Sequence, residues 1–224
     1  RLKRIIVKNN IISYSSEVHQ IYKNISDVNN QNEKGEASIY SCILSNNIMG
    51  LKKLLLLGAN PNIQNISGET PLYLCVIINS YDAFLVLLKN KADCNIQNKN
   101  GDTPLHAAIQ KKENKYIKYL LKSGANPNCK NLIYGKTPTH LAMENKLKED
   151  ILKLFKEYNA DIFSIKDKYN KTAFDYAKDI NDEEYINLVI KIFGYNAHTI
   201  IHNKNNNMNK KINNAFMNST EENK

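Results

Sequence analysis

No stretch of this chain approaches the roughly 20 consecutive apolar residues that a bilayer-spanning helix requires. Apolar patches such as Leu54–Leu57 and Val76–Ile78 are sized for a core. A secretory signal is also lacking: Ile5-Ile6-Val7 is too short for an apolar h-region and runs straight into Lys8-Asn9-Asn10. The 4 cysteines include no Cys-x-x-Cys pair, which argues against zinc. Reduced thiols fit an intracellular, cytoplasmic setting. Phosphate loops, dinucleotide fingerprints and serine elbows are absent. His198 and His202 have i, i+4 spacing, but no Glu follows the first, so the zincin pattern fails. The expectation is therefore no metal, no cofactor and no enzyme. The first residue is Arg1 rather than Met, which points to a segment of a longer protein.

Positive charge is present, but it is dispersed. The net charge is +9. Residues 1–30 carry five Arg or Lys against Glu17 and Asp27, and residues 196–224 carry four Lys against Glu221 and Glu222. That leaves +4 for the centre of the chain, too little for a dedicated phosphate track. The stripe Lys115, Lys118 and Lys122 lies opposite Ile117, Leu120 and Leu121 at helical spacing, and reads as a solvated helix face.

What the chain has is a repeat. Thr103-Pro104-Leu105-His106 recurs as Thr70-Pro71-Leu72-Tyr73, Thr137-Pro138-Thr139-His140 and Thr172-Ala173-Phe174-Asp175. The leading threonines at 70, 103, 137 and 172 stand 33, 34 and 35 residues apart. Thr suits a helix N-cap, and Pro suits the first helical residue, where its missing N–H costs nothing. Before each motif comes a turn ending in Gly68, Gly101, Gly135 or Asn170, residue types that accept positive φ. After it comes an apolar segment such as Tyr116–Leu121, read as a second helix, and then a loop of the type Gly124-Ala125-Asn126-Pro127-Asn128. Cys42 and Cys75 occupy a slot filled elsewhere by Ala108, Ala142 and Ala177, a small buried helix-packing position.

Gly101–Ala108 followed by Leu120–Asn128 closely resembles the consensus of the ankyrin repeat. The resemblance implies an all-α solenoid of stacked helix-turn-helix units with hairpin-like loops. It covers 32–195 as five units, about 32–64, 65–97, 98–130, 131–166 and 167–195. The first unit lacks Thr and Pro. The fifth has Ala173 for Pro and Asp175 for His, as terminal repeats allow. Asn29, Asn62 and Asn95 each precede a tip asparagine by three residues, so 1–31 is expected to be a degenerate N-terminal capping repeat with Val18, Ile21 and Tyr22 on its apolar face. The Asn/Lys-rich segment 196–224 is expected to be disordered.

In this family the fourth motif position is typically a structural histidine, hydrogen-bonded to its own Thr and to loop backbone, which assigns His106 and His140 to the scaffold. Family members commonly bind partners with the hairpin tips and first helices. The resemblance thereby nominates Ile66, Glu69, Leu74, Ile77, Lys99, Asp102, Lys111, Ile133, Tyr134, Lys136 and Tyr169 as partner-binding positions. The Leu132-Ile133-Tyr134 tip is one residue longer than its neighbours and apolar where a polar turn would serve. Either it anchors a partner or it packs on the adjacent tip. The expected function is a monomeric protein-interaction module presenting a rigid concave surface to another protein. The alternatives are a nucleic-acid or anionic-ligand module using Lys99, Lys111, Lys136 and Lys171, or the regulatory or targeting part of a larger enzyme.

Overall fold

The computed structural model describes residues 28–194. The expected N-terminal cap and C-terminal tail lie almost wholly outside these residues. Ten complete helices lie within them: α1 Ser38–Leu44, α2 Ile48–Leu56, α3 Pro71–Ile77, α4 Tyr81–Lys89, α5 Pro104–Gln110, α6 Asn114–Lys122, α7 Pro138–Glu144, α8 Glu149–Glu157, α9 Ala173–Asp179 and α10 Glu183–Phe193. Seven-residue helices alternate with longer ones. The only β-bridge among the described residues is an isolated one between Lys166 and Thr172. The fold is an all-α repeat solenoid.

Four of the five short helices start as their motif dictates. Thr70, Thr103, Thr137 and Thr172 sit in extended backbone immediately before the helix, and Pro71, Pro104 and Pro138 open it. Each short helix then meets its longer neighbour through a residue at positive φ: Asn46, Asn79, Lys112, Lys146 and Asn181. Two of these are lysines, so the turn is imposed by packing as well as by residue type.

The chain divides between Asp93 and Cys94 into two compact units. In the first, α1 packs on α3 and α2 on α4. In the second, α5 packs on α7 and α7 on α9, while α6 packs on α8 and α8 on α10. Short helices thus stack on short and long on long within each unit. The core of the first unit includes Ile39, Ile43, Leu51, Leu72, Phe84 and Leu87, and that of the second Leu105, Ile109, Ile117, Leu120, Ile151 and Phe155. The Leu54–Leu57 patch contributes less than its composition suggests, because Leu56 and Leu57 are exposed. Cys75 is buried in line with Ala108, Ala142 and Ala177, whereas Cys42 is half-buried. Lys118 reaches Asp150 of the next long helix at 2.7 Å.

Asparagine and glutamine stitch the loops together. In the first unit Asn29 Oδ1 accepts from Asn60 N–H and Asn62 Oδ1 from Asp93 N–H, both at 2.8 Å. In the second, Asn95 Oδ1 accepts from Asn126 N–H at 2.7 Å and Asn128 Oδ1 from Asp161 N–H at 2.8 Å. Gln31 donates to Gln64 O, and Gln97 to Lys130 O, one repeat further along. These bonds give the loop backbone the partners that a helix or sheet would otherwise supply.

Candidate functional site

The tips are built on a polar plate of the same design in every repeat. Asn32, Asn65 and Asn98 each accept two backbone N–H groups, from residues two and four further on, at 2.9 Å. Asp167 does the same for Tyr169 and Lys171. At the fourth tip Asn131 accepts from Tyr134 and Lys136, three and five residues on. The additional residue of this tip is absorbed by that wider turn and pushes Leu132 and Ile133 outward. Within each unit backbone bonds tie one tip to the next: Ile66 N–H to Lys34 O in the first, and Leu132 N–H to Asn100 O and Lys168 N–H to Tyr134 O in the second.

The second unit carries a candidate surface on its tips. Leu132, Ile133, Tyr134 and Tyr169 are 64%, 46%, 49% and 62% exposed. The rings of Tyr134 and Tyr169 stack, with centroids 6.4 Å apart and an interplanar angle of 24°. Leu132 covers Gly101, so it packs on the adjacent tip and still presents most of its surface. Lys168 Nζ donates to Leu132 O at 2.6 Å and braces the tip from the side.

Beneath the tips lies a charged and aromatic layer. Lys136 Nζ contacts both Glu144 carboxylate oxygens at 2.8 Å, and Lys171 Nζ contacts Asp179 Oδ2 at 2.7 Å. Tyr176 stands between them, its ring centroid 4.3 Å from Lys136 Nζ and 5.5 Å from Lys171 Nζ. Its hydroxyl donates to Asp167 Oδ2 at 2.6 Å. Burial pushes the Tyr176 phenol upward, and the Asp167 carboxylate pushes it further. Burial raises the Asp167 carboxyl too, but the Tyr176 hydroxyl and the N–H groups of Lys171 and Tyr169 outweigh it and hold it below the usual carboxylate range.

The nominated residues divide accordingly. Ile133, Tyr134 and Tyr169 meet in one surface, and Lys99 and Lys111 are exposed. Lys136 is half-buried and committed to Glu144. Asp102 is only 8% exposed, and its carboxylate accepts from Asn131 Nδ2 at 3.0 Å, so it faces the scaffold and not a partner. In the first unit Ile66 and Ile77 are exposed, Leu74 is half-buried, and Glu69 is half-buried with Asn65 Nδ2 on its carboxylate. Tyr176 was not among the nominated residues. Its signal is weak, a bulky residue where other motifs place Leu74, Ala107 and Leu141.

His106 and His140 are structural. Thr103 N–H donates to His106 Nδ1 at 3.1 Å and Thr137 N–H to His140 Nδ1 at 3.2 Å. An amide N–H can only donate, so each Nδ1 is the acceptor and each Nε2 carries the proton. Those Nε2–H groups reach Lys136 O at 3.2 Å and Lys171 O at 3.1 Å, in the next repeat. Asp175 replaces the acceptor half of this device, taking Thr172 N–H on Oδ2 at 2.9 Å. Tyr40 replaces the donor half, its hydroxyl 2.6 Å from the carbonyls of Ile63 and Glu69. One position therefore accepts His, Tyr or Asp by keeping part of the same bonding. The Thr103 and Thr137 hydroxyls lie 2.9 Å and 2.7 Å from the same Nδ1 atoms, and both threonines are buried as helix caps.

Comparison with curated proteins gives no match. The family model described as ankyrin repeats (3 copies) matches residues 11–98 and 39–131, more than half of the chain. Beyond the matched residues, α7–α10 continue the alternation of short and long helices, and the short helices α7 and α9 keep the Thr-capped start. Ankyrin repeats are generally protein–protein interaction modules and typically non-enzymatic. No helix among the described residues is long and apolar enough to cross a membrane. With its repeat period, its capped short helices and its stitched loops, the chain belongs to the ankyrin repeat family.

Proposed function

We propose that the chain is a non-enzymatic protein-binding module whose partner docks on the tip row of the second unit, centred on Leu132, Ile133, Tyr134 and Tyr169. The observation that carries this reading is the exposure of four large apolar or aromatic side chains on a backbone already held by the Asn131 plate and by tip-to-tip hydrogen bonds. Such a surface binds without first being ordered, which removes part of the entropic cost of association. Tyrosine is well suited to the role, because it buries a large amphipathic area while immobilising few torsions.

A photo-reactive residue placed at 134 tests it. The full chain with this probe should capture a protein from an extract of its source cell, and the same probe at Lys153, on the exposed face of α8, should not. Equal capture from both positions, or none from 134, would contradict the assignment.

A further inference from the structure

The charge around the apolar tips of the second unit has one sign on the outside and the other on the inside. Residues 97–102, 130–136 and 166–171 contain six lysines and two acids, Asp102 and Asp167. Both acids are withdrawn. Asp102 is buried against Asn131, and Asp167 is buried with its oxygens on the Tyr169 and Lys171 N–H groups and the Tyr176 hydroxyl. Their charge is spent on holding the turns. Lys99 and Lys166 are exposed at the rim, whereas Lys136 and Lys171 are already neutralised by Glu144 and Asp179. The corresponding tips of the first unit, 31–36 and 64–69, carry Glu33, Glu36 and Glu69 against Lys34 alone. The positive rim is therefore a property of the apolar tip row and not of the repeat.

We propose that the partner is an acidic protein segment: aliphatic or aromatic anchors that seat on Ile133, Tyr134 and Tyr169, flanked by carboxylates that meet Lys99 and Lys166. This rests on the reading of the tip row as a docking surface and adds the chemistry of what docks. A rim of exposed cations steers and orients an acidic ligand while the apolar centre supplies the affinity. A phosphate backbone fits the same surface poorly. The lysines nearest the helices are already paired, and Leu132 and Ile133 interrupt the row with groups that offer a phosphodiester nothing.

Phage display of a random dodecapeptide library on the full chain tests this. Peptides enriched on the wild type should combine apolar or aromatic residues with an excess of Asp and Glu. Their affinity should fall about tenfold or more in Lys99→Glu/Lys166→Glu, and at least as far in Ile133→Ser/Tyr134→Ala. Rising salt should weaken binding to the wild type more than to the charge-reversed variant. Enriched peptides that depend on Tyr134 but show no acidic excess would overturn the charge assignment and leave the docking surface standing. Peptides indifferent to both variants, or no enrichment, would overturn it together with the docking surface. Poly(U) binding at physiological salt that the lysine reversals abolish and the apolar variant preserves would replace it with a phosphate-binding surface. Matching thermal midpoints for all three proteins exclude unfolding as the cause of any loss.

Discussion

His106 and His140 look at first like catalytic side chains, and their surroundings show why they serve the scaffold instead. Burial pulls the pKa of each imidazole below its ordinary value. Carbonyl acceptors on Lys136 and Lys171, and the carboxylates of Asp102 and Asp167, work in the opposite direction without reversing it, and Lys130 adds to the lowering at His140. The folded state therefore binds fewer protons than the unfolded chain, whose histidines titrate near pH 6.5. Stability is then fully present above that pH and is lost as pH falls through it toward the lower folded values, by about 1.4 kcal/mol for each unit of depression. Urea midpoints should be level between pH 8 and 7 and lower at about pH 5.5, where carboxylates still hold their charge. A midpoint unchanged at the lower pH would mean that protonation of Nδ1 does not break the Thr–His cap. Within the sequence, the resemblance to ankyrin repeats, with Tyr40, Tyr73 and Asp175 at the same register position, is what reads these histidines as structural. Which ring nitrogen accepts becomes visible only in the bonds to Thr103 and Thr137.

At the scale of the element, the tip illustrates what spacing conveys and what it hides. The helix starts are legible, because Thr and Pro each have a mechanical reason to sit there. So is the additional residue in the 131–136 tip. The burial of Asp102 is not, since the same position holds Lys136 and Lys171 in later repeats, and whether it faces in or out depends on an asparagine one repeat away. The pairing of Lys136 with Glu144 likewise joins a loop to the far end of a helix eight residues on, a spacing that no local pattern marks. Tip geometry also makes a graded prediction. Gly101 has φ +78°, and a Cβ there would lie 2.5 Å from Leu132 N. Gly124 has φ +89° and open space around the same point. Gly124→Ala should cost about 1–2 kcal/mol, the penalty of a left-handed backbone. Gly101→Ala should cost about 1–3 kcal/mol more, because two tied tips must also separate. Chemical denaturation of both variants checks the order, and equal losses would show that the tips are not tightly joined.

For the molecule as a whole, the design separates what builds the fold from what varies on it. Motif positions, small helix-packing slots and loop asparagines repeat because stacked units need the same contacts at every step. Tip side chains vary, from Ile66 and Ser67 in the first unit to Leu132, Ile133 and Tyr134 in the second, and this variation is where binding information can reside. The repeat made the all-α architecture readable from sequence alone. The charge polarity of the tips was also present in the sequence, but it acquires meaning only once Asp102 and Asp167 are known to point inward. The most direct test of the account compares the full chain with Ile133→Ser/Tyr134→Ala, measuring capture of the cross-linked partner and the thermal midpoint on the same samples. The account predicts that capture is lost while the midpoint stays within about 2 °C, since exposed side chains away from the core contribute about 0.5 kcal/mol or less. Capture that persists, or a midpoint that falls together with it, would contradict the assignment of function to the tip row.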